Sequence, residues 1–303
     1  MSRRGRYAAD RELTTRMLVV VFLLGLLYVV AVGALIGLGV SPFAVLLVVG
    51  GFFAFQYIAS DKVALYAMNA RVVEPSEAPE LHGAIDRLCA LSDTPKPRVA
   101  IANSDVPNAF ATGRSPQRAV VCVTTGLMRR LDADELEGVL AHELSHVAHR
   151  DVAVMTVASF LGVLAGLVTR FALQATMFGG LGRGRRDSKD NGVPLVLAVI
   201  VVSALVYAIS FFLIRALSRY RELSADRTAA MLTGRPSALA SALTKVTGEM
   251  ARVPTQDLRQ AEPFNAFFFT PALAKGFSLS TLFATHPPLE KRLAQLAQMS
   301  QAG

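Results

Sequence analysis

Charged side chains are missing from three long stretches of this sequence. Residues 17–60 contain no Asp, Glu, Lys or Arg, and neither do residues 152–169 and 192–214. A membrane-spanning helix needs about 20 apolar residues, so the first stretch has room for two spans joined by a turn near 37–42, and each of the others has room for one. These runs exclude an ordinary soluble domain, and the first is too long for a cleaved signal peptide.

Cysteine is also scarce. Cys89 and Cys122 are the two in the chain, which is too few for a disulfide framework. Lone cysteines in a predicted cytoplasmic region are typically buried small side chains. Neither has a metal-ligand spacing to histidine, so we do not expect them in the site.

The charge balance is basic, with a formal net charge of +8. Five arginines, against Asp10 and Glu12, precede the first uncharged run, and the turn inside that run carries no charge. By the positive-inside rule, the arm over 1–16 lies in the cytoplasm and the chain returns there after residue 60. The arm therefore indicates membrane topology and contact with anionic lipids, not nucleic-acid binding.

The segment 182–191 does not fit this rule. It contains three arginines and one lysine against two aspartates. If both neighbouring runs cross fully, the segment lies outside, where positive charge is disfavoured. Two interpretations remain open: a shallow, tilted hairpin over 152–215, or a loop carried across because the first helix pair sets the orientation.

Histidine is rare, with five in the chain, yet two of them flank a glutamate at a spacing typical of zinc sites. His142 and His146 are four residues apart, so on a helix both imidazoles reach one metal ion. Glu143 between them can act as the base toward water. Asp132 and Glu135 form the capping-box pattern that starts such a helix. Apolar residues then recur at helical spacing and predict a buried stripe: Leu136, Val139, Leu140, Leu144 and Val147.

A catalytic zinc site needs a third protein ligand and a free position for water. Glu222 and Asp226 follow the last uncharged run and are four residues apart, so on a helix they face the same side. We expect Glu222 to bind the metal and Asp226 to accept the free ring N–H of one ligand histidine. Two acids in a charged segment otherwise indicate a solvated face, but the need for a third ligand favours the site.

The other histidines are His82, His149 and His286. His82 has no partner pattern and is expected at the surface. His149 lies about 10.5 Å from His142 along the helix axis, too far to share one ion, and is expected near the lipid headgroups. His286 precedes a final helix over 289–299 and is either a cap residue or a donor to a developing oxyanion.

The soluble part before the zinc motif has an α+β pattern. Residues 81–91 have helical spacing, and 98–102 and 119–124 are predicted strands. Between them, 108–113 is bounded by proline and glycine as an edge strand would be. The predicted fold class is α+β and mainly helical: an integral membrane protein with about four transmembrane helices and a cytoplasmic, zincin-like metalloprotease domain with a small β-sheet.

Four motifs together resemble the HtpX-type membrane zinc metalloproteases, the HtpX/Ste24-like, M48-type peptidase family. In chain order they are Asn108-Ala109-Phe110-Ala111-Thr112-Gly113, His142-Glu143-x-x-His146, Glu222-x-x-x-Asp226 and Thr285-His286-Pro287. Together with the paired spans, they extend over nearly the whole chain. The resemblance implies a zinc metalloendopeptidase with one Zn²⁺ per chain.

The resemblance also implies roles for individual residues. The metal ligands would be His142, His146 and Glu222, with Asp226 behind them and Glu143 as the base. His286 would assist the transition state. The substrate backbone would lie along an edge strand containing Asn108, Ala109, Phe110 and Ala111.

The implied setting is quality control and stress response at the bacterial cytoplasmic (inner) membrane, with the active site facing the cytoplasm. The expected partners are unfolded or misfolded membrane proteins and the lipid bilayer, without nucleic acid; the oligomeric state stays open. A zinc hydrolase of a non-peptide membrane substrate is the alternative, and a silent adaptor would not require Glu143.

The predicted division of the chain is a basic arm 1–16, a helix pair 17–60, a first catalytic part 61–151, a second transmembrane hairpin 152–215 and a second catalytic part 216–303.

Overall fold

The structure is a computed structural model that describes residues 10–37, 41–43, 47–51, 54, 65–66, 68–113, 115–150, 154–155, 192–250 and 286–302. It is mainly helical with a small mixed sheet. The helices are α1 (Arg11–Gly37), α2 (Pro79–Ser92), α3 (Thr125–Arg130), α4 (Ala133–Ala148), α5 (Gly192–Thr233), α6 (Pro236–Met250) and α7 (Leu289–Ala302). The strands are β1 (Ala70–Val72), β2 (Arg98–Ala102), β3 (Ala109–Thr112) and β4 (Val120–Thr124), and a 3₁₀ turn, Pro116–Arg118, precedes β4.

The strands form one sheet in the order β1-β2-β4-β3 among the described residues. The central strands β2 and β4 run parallel, and both outer pairings are antiparallel. Every residue of β4 is buried, as expected for a central strand covered on both faces. β3 lies at the edge, which confirms the prediction of an edge strand within 108–113. The strands predicted over 98–102 and 119–124 are confirmed as β2 and β4.

Helix α4 packs against α2, α6 and the β3 edge of the sheet. Its side chains Val139, Leu140 and Leu144 are at most 1% exposed, and they belong to the main core cluster. Burying an aliphatic side chain of this size contributes about 1.5–3 kcal/mol, so three of them hold the helix firmly in place. The predicted apolar stripe is therefore confirmed, and it positions the zinc motif that the same helix carries.

Among the described residues, two helical segments are long and apolar enough to cross a membrane, Arg11–Ala34 in α1 and Ile200–Thr233 in α5. Large apolar side chains on these two helices are exposed, among them Phe22, Val29 and Phe212. Such a surface is unfavourable in water and suited to lipid. The other predicted spans, and the basic loop 182–191, lie largely or wholly outside the described residues.

The chain divides into two compact units. One comprises Met1–Thr14, Ala59–Ala153 and Leu217–Gly303, and the other comprises Thr15–Ile58 and Val154–Ala216. Helix α5 is a single helix of 42 residues that includes both its apolar part and the turn with Glu222.

The prediction that His82 lies at the surface is wrong. The side chain is 6% exposed and sits in α2 beside Leu81 and Ile85, both buried. Its Nε2 lies 3.1 Å from the carbonyl oxygen of Val73. Because α2 is covered over a wide arc, the ring is buried and finds a backbone partner, which a search for metal-ligand spacing does not reveal.

Candidate metal centre

The helix with the zinc motif begins with a complete capping box. Oδ1 of Asp132 accepts a hydrogen bond from the Glu135 backbone N–H at 2.9 Å, and the Asp132 N–H donates to Oε2 of Glu135 at 3.0 Å. This satisfies two N–H groups that the first turn would otherwise leave without a partner. The capping prediction is confirmed, and α4 begins at a defined residue, Ala133, about two and a half turns before the first histidine.

Three possible ligand atoms meet at one buried point. Nε2 of His142 and Nε2 of His146 are 3.3 Å apart. The two carboxylate oxygens of Glu222 lie 3.5 Å from these nitrogens, one oxygen from each ring. The three residues are at most 6% exposed. The structure therefore brings together the two histidines of α4 and an acid from α5, and this group could hold a metal ion.

Asp226 lies behind the first histidine. Its Oδ1 is 2.9 Å from Nδ1 of His142, the ring nitrogen that points away from the ligand cluster. An acceptor there keeps the proton on Nδ1 and leaves Nε2 free to bind a metal. Asp226 is itself fully buried. The structure therefore brings Asp226 to a ring nitrogen of one of the two predicted ligand histidines.

The buried acids also change the electrostatics of His142. Burial disfavours the charged ring, but Asp226 and Glu222 outweigh burial and raise the pKa of His142 to about 9. A proton and a metal ion compete for the same nitrogen, so metal binding at this site must release protons. The negative environment that stabilises a protonated ring also stabilises a bound cation.

Glu143 points to the same region from the next position of α4. Burial is the main influence and raises the pKa of Glu143, while the neighbouring charges of His142 and His146 oppose it. The carboxylate also accepts a hydrogen bond from the backbone N–H of Ala111 in β3. A buried acid whose pKa is raised toward neutrality has the property required of a general base.

The edge strand β3 presents only part of its backbone to the sheet. Asn108, just before β3, donates its N–H to the hydroxyl of Thr124 at 2.9 Å and accepts the Thr124 N–H at 2.9 Å. In an antiparallel pair, residues alternate between bonding the partner strand and facing away. Phe110 therefore faces β4, whereas Ala109 and Ala111 direct their backbone groups toward the outer side of β3. On that side the Ala111 N–H donates to Glu143, and Ala109 is 0% exposed.

His286 also reaches the site. It is 6% exposed, and its Nδ1 lies 3.0 Å from Oε2 of Glu222. It precedes α7, with Pro287 and Pro288 between them. Of the two interpretations left open by the sequence, a cap residue or a donor at the site, the position against Glu222 favours the second.

Two residues beside the ligands were not anticipated from the sequence. Arg221 has Nη2 3.4 Å from Nδ1 of His146. Arg292 donates from Nε and Nη2 to the two oxygens of Asp226, both at 2.7 Å. A signal for Arg292 did exist, because it stands at helical spacing within the apolar face of the last helix, between Leu289 and Leu296.

Both cysteines lie away from the cluster. Cys89 and Cys122 are buried and unpaired with each other. Burial raises the pKa of both thiols, that of Cys122 to about 12, which leaves them as unreactive small apolar side chains.

Comparison with known proteins identifies the family. The model of peptidase family M48 matches residues 75–300, a range that includes every residue of the metal centre described above. The chain is 62% identical over 295 residues to "Protease HtpX homolog 1" of Streptomyces coelicolor, which covers 97% of this chain and 95% of that protein. It is 52% identical over 296 residues to "Protease HtpX homolog 2" of Methanosarcina mazei, with 98% of each chain covered.

The fold has a known counterpart among solved structures. The crystal structure of S. mikatae Ste24p superposes with a TM-score of 0.52 at 18% identity, covering 95% of this chain and 66% of that chain. This likeness concerns the fold, and the family rests on the sequence matches. The chain therefore belongs to peptidase family M48 and is a membrane-bound metalloprotease of the HtpX type.

Proposed function

We propose that this protein is a zinc-dependent endopeptidase that cleaves misfolded or damaged membrane proteins at the cytoplasmic face of a bacterial cell membrane. One observation carries the proposal: two imidazole nitrogens and one carboxylate converge at a buried point, with Glu143 adjacent in the chain. The family establishes a metalloprotease. The metal, the residue roles, the substrates and the topology are the parts proposed.

The donor set and its spacing support zinc. Zinc binds imidazole nitrogen at about 2.0–2.1 Å and carboxylate oxygen at about 2.0–2.2 Å in a tetrahedral arrangement. Two ligands at these bond lengths in a regular tetrahedron are about 3.4 Å apart. Nε2 of His142 and Nε2 of His146 are 3.3 Å apart, close to this value, and each lies 3.5 Å from a different carboxylate oxygen of Glu222. Three protein ligands are also the number found in catalytic zinc sites, where the fourth position is kept for water.

The protein's own groups would perform the steps of peptide hydrolysis. When bound, zinc supplies Lewis acidity and lowers the pKa of water from about 15.7 toward 7. Glu143 takes the proton from the attacking water as the new C–O bond forms, and delivers it to the amide nitrogen as the C–N bond breaks. His286 donates a hydrogen bond to the carbonyl oxygen as negative charge develops on it.

The outer edge of β3 would hold the substrate. The backbone groups of Ala109 and the carbonyl group of Ala111 would pair with an extended peptide that enters beside α4, and such pairing reads little sequence. The backbones of Asn108 and Phe110 face β4, so these two residues would contact a substrate only through their side chains. A broad-specificity site of this kind suits unfolded segments of membrane proteins, since only an extended chain can add to a strand edge.

The proposed topology has four spans, two in 17–60 and two in 152–215, with 1–16, 61–151 and 216–303 in the cytoplasm. Support comes from the apolar, exposed surfaces of α1 and α5 and from the basic N-terminal arm. Labelling single cysteines from either side of membrane vesicles tests it, because the buried Cys89 and Cys122 should react slowly. Ser188→Cys should react from the outside and Ser2→Cys from the inside. Reaction of both from one side would instead establish a shallow hairpin.

The central experiment compares wild type with Glu143→Gln, purified in detergent, for bound zinc and for cleavage of an unfolded protein. We expect equal zinc contents and a loss of cleavage of at least about 10²-fold in the variant. Glu137→Gln, an acid on the same helix that lies 3.5 Å from Arg87, is the matched control and should retain activity.

Other outcomes contradict the proposal in defined ways. Cleavage surviving in Glu143→Gln, with contaminating protease excluded, would overturn the assignment of the base. Wild type that binds zinc but cleaves no peptide would point to the non-peptide membrane substrate. Wild type that binds no zinc would overturn the choice of metal.

A further inference from the structure

Arg292 is a cation buried deep in the catalytic half of the protein. It is 2% exposed and is the largest of the fully buried side chains among the described residues. A guanidinium cannot lose its charge in a protein, so its burial requires a strong partner. That partner is Asp226, which is 0% exposed.

The contact between them is a two-point fork. Nε of Arg292 donates to Oδ2 and Nη2 donates to Oδ1, each at 2.7 Å. A fork of this kind fixes the plane of the carboxylate as well as its position. Oδ1 of Asp226 is also the atom 2.9 Å from Nδ1 of His142. The orientation of Asp226 therefore sets the direction in which the His142 ring is held.

The same helix makes a second tie to α5 one turn later. Nε2 of Gln295 donates to the carbonyl oxygen of Leu223 at 2.7 Å. Residues 292 and 295 are three apart, so they lie on one face of α7. Leu223 and Asp226 adjoin Glu222 on α5. Both ties therefore anchor α7, and His286 just before it, to the helix turn with the predicted third ligand.

We propose that Arg292 is a positioning residue of the metal site, acting through Asp226 on His142. This rests on the proposed function, since it concerns the binding of a metal by His142, His146 and Glu222. A buried ion pair alone contributes little net stability compared with apolar packing. The contribution of the Arg292–Asp226 pair is instead that it fixes the orientation of the His142 ring. A contact that only stabilised the fold would not do this.

The test is the dissociation constant for Zn²⁺ of the full chain in detergent, measured by competition with a coloured chelator. Loss of a residue that orients a metal ligand typically weakens metal binding about 10–100-fold, and we expect this for Arg292→Met. Lys291→Met removes a neighbouring exposed cation of α7 and should leave the affinity unchanged. The visible spectrum of Co²⁺ bound in place of zinc should also change in Arg292→Met, because the His142 ring is no longer held.

A second variant covers the possibility that Arg292→Met does not fold. Arg292→Lys keeps the charge but cannot donate to both oxygens of Asp226 in a fixed plane. We expect it to fold and to bind Zn²⁺ more weakly than wild type by at least about tenfold. Wild-type affinity in Arg292→Lys would overturn the positioning role, because charge compensation alone would then be sufficient.

A double-mutant cycle tests whether the effect passes through Asp226. In an Asp226→Asn background, replacing Arg292 by Lys should cost less than about twofold in Zn²⁺ affinity, since the fork is already lost. If Arg292→Lys weakened Zn²⁺ binding in the Asp226→Asn background as much as it does in the wild-type background, Arg292 would act by another route. Failure of wild type itself to bind Zn²⁺ would contradict the proposed function, whereas equal binding by wild type and Arg292→Lys would contradict only this inference.

Discussion

Nδ1 of His286 lies 3.0 Å from Oε2 of Glu222, and its Nε2 has no hydrogen-bond partner within the described part of the chain. One ring nitrogen thus lies beside the predicted third ligand, and the other is the one that would donate to a substrate in the proposed mechanism. The ring is 6% exposed, in a setting where a hydrogen bond to a developing charge is stronger than in water.

Replacing His286 by alanine should therefore lower kcat by about 10²–10³-fold, the usual cost of losing one oxyanion donor. Zinc affinity should be retained, because the three proposed ligands remain. Single-turnover cleavage of an unfolded protein measures the first quantity, and chelator competition measures the second. Turnover at the wild-type rate would rule out the oxyanion role of His286.

Proline substitutions in β3 separate its two backbone faces. Ala109→Pro removes an N–H from the outer side of β3 and none from the pairing with β4, so we expect a higher KM. Ala111→Pro also removes the N–H that Glu143 accepts, and we expect kcat to fall as well. Phe110→Pro is the control, since its N–H faces β4 and its loss should destabilise the sheet. Equal kinetics for Ala109→Pro, Ala111→Pro and wild type would exclude β3 as the substrate strand.

The first turn of α4 predicts a pH-dependent stability. Burial raises the pKa of Glu135, but hydrogen bonds from Lys245, Ser241 and the Asp132 N–H outweigh it, so the pKa lies below its usual 4.5. A depressed carboxyl pKa stabilises the fold above the unfolded value, and this stability is lost as pH falls through the folded value.

Glu135→Gln should accordingly lower the free energy of unfolding by about 1–3 kcal/mol at pH 7. The difference from wild type should shrink below about pH 4.5, where the wild-type acid takes up a proton during unfolding. Thermal unfolding in detergent across pH 3–8 measures both. A difference that grows on acidification would contradict the depressed pKa of Glu135.

Gly126, in the short helix α3, has no room for a side chain. A Cβ there would lie 2.6 Å from the carbonyl carbon of Asp105 and closer still to its oxygen, and these are backbone atoms that cannot move aside easily. Gly126→Ala should destabilise the protein by about 1–3 kcal/mol. Gly248→Ala, in α6 with nothing within 4 Å, is the control and should be neutral or stabilise by up to about 1 kcal/mol. Thermal unfolding of the two variants distinguishes them, and equal melting temperatures would contradict the close approach.

The strands and the zinc-motif helix were predictable because their signals are local. Each signal depends on residues close together in the chain: a capping box, an apolar stripe at helical spacing, or a run of β-branched residues. The structure has α4, β2 and β4 at the positions that these signals predicted. The parallel pairing of β2 with β4 had no such signal, because it depends on how the strands meet in space. The burial of His82 was missed for the same reason. A single polar residue on a helix does not reveal how much of the helix surface the rest of the protein covers.

The sequence by itself determined the chemistry of the candidate site. Two histidines four residues apart on a helix face the same side, so helix geometry alone brings both imidazoles to one ion, with the glutamate beside them. It also determined the apolar helices, because hydrophobicity over about 20 residues is a property of the segment alone. Only the tertiary structure decided three contacts: Glu222 lies beside His142 and His146, Arg292 donates hydrogen bonds to Asp226, and His286 lies beside Glu222. These residues are far apart in the chain. Their approach depends on how α4, α5 and α7 meet in space, with α4 and α7 both packed against α6, and no local sequence pattern specifies this.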